Sequence, residues 1–199
     1  MPILGTFAHK CEERGLTNLS GPWIVLFVLL FSSGLSLPAQ AAPPAEYQLK
    51  AVFLFNFAQF VEWPTEAFPQ KHTPLIIGVL GEDPFGAYLD ETVRGEKVND
   101  RPLAVQRYRR VDEIKTCHIL FISRSEGDRL EQIVAGLRDR NILTVADAEG
   151  FARRGVMIRF VTERNKIRLR INLEAAKAAH LTISSKLLRP AEIIAPGKD

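Results

Sequence analysis

Long stretches of the chain alternate between short apolar runs and segments with helical spacing, a pattern typical of α/β domains. Buried strands that are joined through helices form mostly parallel sheets with helices on both faces. The pattern predicts helices over residues 46–61, 84–93, 126–140 and 172–180 and buried strands over residues 75–80, 118–123 and 142–146. We therefore predict a single small α/β domain with a mixed, mostly parallel central sheet flanked by helices on both faces.

An edge strand and a hairpin are predicted at two further places. Residues 97–110 alternate and contain Pro102, which favours an edge strand after a turn at Asn99 and Asp100. Residues 156–161 and 166–171 flank a short polar turn, so they predict a C-terminal antiparallel hairpin with one apolar face. The later residues 181–188 are expected to form a semi-apolar tail segment.

The first part of the chain is typical of a secretory signal. An apolar, uncharged run over residues 22–31 follows Lys10 and Arg14 and precedes the small residues Ala39 and Ala41. We therefore predict that a signal peptide, residues 1–41, is cleaved off. A membrane anchor is the alternative, but the apolar stretch is shorter than the ~20 residues that a spanning helix needs.

The remaining residues are enough for one well-formed core. We predict a short tether over residues 42–46, a folded domain over residues 47–194 and a flexible tail over residues 195–199. Cys117 is the only cysteine of this exported part, so no internal disulfide is predicted. The net charge of +3 is far below that of a dedicated nucleic-acid-binding protein.

Residue patterns typical of an enzyme or a metal site are missing from the exported sequence. Its histidines His72, His118 and His180 share no ligand-like spacing, and no Cys-x-x-Cys or Gly-x-Ser-x-Gly motif accompanies them. We therefore predict no catalytic residue, no metal and no cofactor. Cys117 precedes His118 in a predicted strand, where neighbouring side chains point to opposite faces, so we expect a buried and unreactive thiol.

Two sets of charged residues are candidate binding sites. Lys166, Arg168 and Arg170 alternate with apolar residues in the predicted hairpin, which places three cations on one face. That face is either ordinary solvated surface or a docking face for an acidic partner or an anionic membrane. Glu82 and Asp83 follow a predicted strand, where parallel sheets place ligands, so they mark a possible ligand pocket. The export signal argues against a nucleic-acid partner.

Five segments, in chain order, are similar to the signature blocks of one known family. They are YQLKAVFLFNFAQFVEWP at 47–64, IGVLGEDPFG at 77–86, CHILFIS at 117–123, ILTVADAEG at 142–150 and INLEAAKAAHLTISSKLL at 171–188. The chain thereby resembles the YfiR family (DUF4154, YfiR/HmsC-like) over nearly the whole exported part. The resemblance implies a non-enzymatic periplasmic regulator with a small α/β sandwich fold that forms homodimers.

In the best-known system of that family, the regulator binds and represses an inner-membrane diguanylate cyclase. An outer-membrane lipoprotein relieves this repression, and cyclic di-GMP synthesis and biofilm matrix production then rise. The leading hypothesis is therefore a repressor of an inner-membrane signalling protein. The alternative is an exported small-molecule-binding module that presents a ligand to a membrane receptor. The redox-linked disulfides of better-known members should not transfer, because Cys117 has no second exported cysteine to pair with.

Overall fold

The computed structural model describes residues 44–164, 166–195 and 197. The predicted signal peptide lies outside these residues. The helices are α1 (Ala45–Phe60), α2 (Ala87–Val93), α3 (Leu130–Gly136), α4 (Leu173–Ala178) and α5 (Ser185–Leu188). The strands are β1 (Val61–Glu62), β2 (Leu75–Leu80), β3 (Lys97–Val98), β4 (Arg101–Tyr108), β5 (Ile119–Ile122), β6 (Leu143–Ala146), β7 (Ile158–Glu163), β8 (Lys166–Asn172), β9 (Thr182–Ile183) and β10 (Glu192–Ile194). Short 3₁₀ helices span Thr65–Ala67, Val111–Glu113 and Arg124–Arg129.

Eight strands of the described residues form one sheet in the order β10-β8-β7-β6-β5-β2-β4-β3. In the part of the sheet ordered β7-β6-β5-β2-β4, each strand runs parallel to its neighbour, and β10 also runs parallel to β8. Antiparallel pairing occurs between β7 and β8 and between β3 and β4. The predicted mixed, mostly parallel sheet and its antiparallel hairpin are confirmed.

Helices cover both faces of this sheet. On one face, Leu54 and Phe57 of α1 are fully buried against strand residues such as Phe160. On the opposite face, Leu130 and Ile133 from the start of α3 pack into a second apolar cluster. Because side chains alternate along each strand, β2, β5 and β6 contribute to both clusters.

Helix α1 begins slightly earlier than predicted. The helix starts at Ala45, one residue before the predicted start at Glu46, and Glu46 forms an ion pair with Lys50 one turn later. The helix ends at Phe60, and the following residues turn into β1, which pairs antiparallel with β9. This small second sheet ties the end of α1 to the C-terminal part of the chain.

Two predicted helices are shorter than their apolar spacing indicated. Gly86 has a φ of 55°, so the chain before α2 adopts a turn that continues no helix. Before α3, the chain forms the 3₁₀ helix Arg124–Arg129, whose first turn is capped by the hydroxyl of Ser123. The hydroxyl of Ser125 accepts a hydrogen bond from the backbone N–H of Glu82.

The predicted semi-apolar tail segment is wrong as a description of residues 181–188. These residues form β9 and α5, and the chain then adds β10 to the edge of the main sheet. The buried Leu181, Ile183 and Leu187 join the α1-side core. Their burial against α1 depends on contacts between distant parts of the chain.

Candidate functional site

A cleft of about 390 Å³ lies at the carboxyl ends of β5 and β6. Strand β6 pairs with β7 only at its last two residues, whereas β7 continues to Glu163, so the two strands separate there. Asp147 follows β6 directly, and Arg124 follows β5 after one intervening residue. The first turns of α1 close the cleft with Glu46 and Lys50. This is the edge at which parallel sheets place their ligands.

The cleft is built around a buried ion pair between Lys50 and Asp147. The Lys50 Nζ lies 2.6 Å from the Asp147 Oδ2, and both side chains are only 2% exposed. The same ammonium group lies 2.6 Å from the Oε1 of Glu46. Lys50 is buried because it falls on the inward stripe of α1, beside Ala51 and Leu54. A buried lysine of this kind needs its carboxylate partner, since an unpaired buried charge is strongly destabilising.

One oxygen of Asp147 is crowded with donors and the other is not. Besides Lys50, the hydroxyl of Tyr47 donates to Oδ2 over 2.7 Å, and the Arg124 guanidinium lies 3.4 Å from it. Among the described residues, the buried Oδ1 has no hydrogen-bond partner. A buried acceptor without a donor costs free energy, so Oδ1 is suited to accept a hydrogen bond from a bound molecule or water.

The cluster sets the protonation of its members. Burial alone would raise the pKa of Asp147, but hydrogen bonds from Lys50 and Tyr47 outweigh it and hold that pKa below its usual value. Burial, together with the hydrogen bond to Asp147, raises the pKa of Tyr47 to about 12. At neutral pH, Asp147 is therefore ionised and Tyr47 keeps its proton. A cluster with these charges and a free acceptor oxygen is chemically able to bind charged groups and hydrogen-bond donors.

The three hairpin cations lie on one face of β8, as the alternation predicts, while Leu169 and Ile171 point into the core. Carboxylates share that face. Arg168 lies 3.4 Å from Glu163, and Arg170 lies 2.8 Å from Glu192 of β10. The face is therefore mixed in charge. The role of Lys166, Arg168 and Arg170 in binding a partner stays a prediction.

Glu82 and Asp83 lie at the carboxyl end of β2, as expected. The Asp83 carboxylate accepts hydrogen bonds from the Arg107 Nε and from the backbone N–H of Phe85, both over 2.8 Å. Arg107 also pairs with Asp90 of α2. These contacts hold the turn that leads to α2, and the cleft described above lies two strands away at β6. The ligand role of Glu82 and Asp83 stays a prediction.

Cys117 and His118 lie on opposite sides of the sheet, as predicted. The Cys117 thiol is buried beside Tyr108 and Leu120, and burial raises its pKa to about 12. The His118 ring lies against the rings of Trp63 and Phe68. The two side chains therefore form no catalytic pair.

Neither Lys50 nor Asp147 is among the site residues predicted from the sequence. Each carries a local signal: Lys50 interrupts the inward apolar stripe of a predicted helix, and Asp147 directly follows a predicted buried strand. These signals identify candidates but not their pairing, because 97 residues separate the two positions.

The described residues contain no helix that is both long and apolar enough to cross a membrane. Within the same ranges, no group of three or more His, Cys, Asp or Glu side chains is placed to hold a metal ion. No curated protein matches the chain in sequence. The sequence profile of one family matches residues 47–192, which include the buried ion pair, both predicted sites and almost all of the folded domain. The chain belongs to the YfiR/HmsC-like family (DUF4154), a family of periplasmic regulators.

Proposed function

We propose that this protein binds the periplasmic part of an inner-membrane diguanylate cyclase and holds it inactive. Cyclic di-GMP, and with it biofilm matrix production, would fall while the two proteins are bound. The observation that carries the proposal is the family match over residues 47–192. A binding protein can control an enzyme without chemistry of its own, because it shifts its partner toward the conformation that it binds more tightly. An outer-membrane lipoprotein that competes for the regulator would then relieve the repression.

The exposed face of β8 is the proposed contact with the cyclase. Arg168 is 62% exposed, and the neighbouring Leu169 and Ile171 anchor the strand in the core. Charges displayed on a firm support mainly raise association rates and make binding sensitive to salt. Exchanging Arg168 and Arg170 for Glu should therefore slow association, chiefly at low ionic strength.

A photo-crosslinking amino acid at position 168 tests this contact in cells. We expect it to capture an inner-membrane protein with a diguanylate cyclase domain. Arg110 provides the matched control, because it is similarly exposed (67%) and also faces a carboxylate, but it lies beyond the far end of β4. Equal capture from positions 168 and 110, or capture of no membrane protein from 168, would contradict the proposed contact.

A homodimer is proposed through the outer face of α1. Leu49 and Val52 are 47% and 37% exposed and lie one turn apart, so they form an apolar strip on a helix whose charged residues point into the cleft. Sedimentation should give a dimer for the natural protein and a monomer for the Leu49→Lys/Val52→Lys variant. A natural protein that sediments as a monomer at every concentration would exclude this dimer.

The alternative function, an exported module that presents a small molecule to a membrane receptor, is favoured by the cleft beside Asp147. Its buried Oδ1 without a hydrogen-bond partner among the described residues is suited to a ligand that donates a hydrogen bond. Native mass spectrometry of the protein purified from its own cells tests this alternative. A bound small molecule that is lost in Asp147→Asn supports the ligand module, and a mass equal to the bare chain contradicts it.

A further inference from the structure

The segment from Trp63 to Pro74 has little regular structure and lies over the amino-terminal edge of the sheet, opposite the cleft. Between β1 and β2, the chain contains only the 3₁₀ helix Thr65–Ala67. The side chain around which this segment folds is His118, which is 1% exposed and directly precedes β5. The His118 ring contacts both the segment and strand β2, so protonation of the ring affects both contacts.

Two backbone groups fix the protonation state of the His118 ring. The Nδ1 accepts a hydrogen bond of 3.0 Å from the backbone N–H of Ile76 in β2, so this nitrogen carries no proton. The Nε2 lies 3.1 Å from the carbonyl oxygen of Ala67 and therefore donates its proton to it. His118 is thus neutral in this structure and joins the segment to β2.

Aromatic and cationic groups complete the attachment. The Phe68 ring stacks on the His118 ring with centroids 4.4 Å apart, and the Arg101 guanidinium lies 4.0 Å from the centroid of the same Phe68 ring. Arg101 also donates hydrogen bonds to the carbonyl oxygens of Gln70 and Thr73. The indole N–H of Trp63 donates to the backbone carbonyl of His118 over 3.2 Å.

Among the residues that the structure describes, no buried carboxylate lies near the ring to pair with an imidazolium. Arg101 of β4 is the charged group that lies near the ring. The segment carries Glu66, Lys71 and His72, and β1 before it carries Glu62; all four side chains are exposed. Strand β2 contributes a backbone N–H. Cys117, which directly precedes His118, lies on the opposite face of the sheet. Burial lowers the pKa of His118, the bond to Ala67 acts against this, and Arg101 lowers the pKa further.

We propose that His118 is a pH-dependent switch: its protonation releases the segment from Trp63 to Pro74 while the central sheet stays folded. A proton added at Nδ1 would point at the N–H of Ile76, so a hydrogen bond becomes a contact between two donors. The new positive charge would also lie close to Arg101. Both effects favour the open segment, in which water solvates the imidazolium.

The direction of the pH dependence follows from linkage. A histidine whose pKa is lowered in the closed state stabilises that state above its ordinary pKa of ~6.5, and the stabilisation is lost as the pH falls through the lowered value. Each unit between the closed-state and open-state pKa values corresponds to a tenfold shift in the ratio of open to closed molecules.

Nitrogen-15 NMR of the protein tests whether protonation of His118 releases the segment. The titration runs from about pH 7.5 to about pH 4.5, around the ordinary histidine pKa. At the upper end we expect the His118 ring to show the Nε2–H tautomer. As Nδ1 gains its proton, the Ile76 amide should lose protection from exchange and the Trp63 indole signal should shift, while the β6 amides stay protected. Protonation of His118 with the Ile76 amide still protected would overturn the proposal.

Two glutamine variants sharpen the result. In His118→Gln, the side-chain amide can accept from Ile76 and donate to Ala67 but cannot titrate, so the segment should stay closed at both ends of the pH range. His72→Gln removes an exposed histidine of the same segment and should open as the natural protein does. Opening of His118→Gln at low pH would assign the transition to another group. The titration of the natural protein decides the question even if His118→Gln fails to fold.

Discussion

The two edges of the central sheet each bury an ionisable side chain, but they do so in opposite ways. At the carboxyl edge, Lys50 and Asp147 are buried as charges that compensate each other. At the amino edge, His118 is buried neutral and is satisfied by the backbone of Ile76 and Ala67. A compensated ion pair is insensitive to moderate pH changes but costly to break, whereas a buried neutral histidine is stable near pH 7 and responds to acid.

The apolar core between the two edges sets the scale for this comparison. Phe57 is fully buried and stacks on Phe160 with ring centroids 5.8 Å apart. Phe57→Ala should lower the free energy of unfolding by about 3–5 kcal/mol, because the lost contacts leave a cavity. Urea denaturation measures this loss, and a change below ~1 kcal/mol would mean that the helix packs differently.

At the carboxyl edge, Asp147→Ala leaves Lys50 buried with only Glu46 as its partner. We expect a loss of about 3 kcal/mol in the free energy of unfolding, the lower end of the range for breaking a buried pair, because Glu46 still compensates part of the charge. The double variant Lys50→Met/Asp147→Leu is the control and should regain most of that stability. A double variant no more stable than Asp147→Ala would contradict the ion-pair explanation.

The pH dependence of stability separates the two edges. The pKa of Asp147 is lowered, so the stability it contributes is present above its ordinary value of ~3.9 and is lost as the pH falls through the lower folded value. His118 should weaken the fold already below ~6.5. Unfolding free energies at a series of pH values should therefore fall in two steps. The upper step should disappear in His118→Gln, and its persistence there would contradict the assignment.

A smaller effect is expected at Cys117, on the face of the sheet opposite to His118. Its sulfur packs close to Gly78, so Cys117→Ala should cost about 1 kcal/mol for the small cavity and leave regulation unchanged. Chemical denaturation measures the first effect, and cellular cyclic di-GMP reports the second. Lost regulation with unaltered stability would indicate an intermolecular disulfide instead of a structural thiol.

Local patterns allowed the strands to be predicted but not the way the two edges are built. The predicted strand 75–80 coincides with β2, because six consecutive apolar residues end at Gly81. The predicted helix 126–140 divides into a 3₁₀ helix and α3, which apolar spacing alone does not distinguish. Strand β10 has no strong local pattern and forms through pairing with β8.

The same limit applies to the sites. Alternation correctly placed Lys166, Arg168 and Arg170 on one face, because it depends only on strand geometry. The pairing of Arg170 with Glu192 and that of Lys50 with Asp147 depend on which distant elements the fold brings together. Charge compensation of this kind is a tertiary property that one sequence does not reveal.

The cellular level of cyclic di-GMP shows whether the protein represses a membrane-bound cyclase by binding it. Cells that lack the gene should contain more cyclic di-GMP than their parent, and the natural gene should restore the lower level. Arg168→Glu/Arg170→Glu should fail to restore it, whereas the control Arg110→Glu should succeed. An unchanged level of cyclic di-GMP after loss of the gene would contradict repression of a cyclase by this protein.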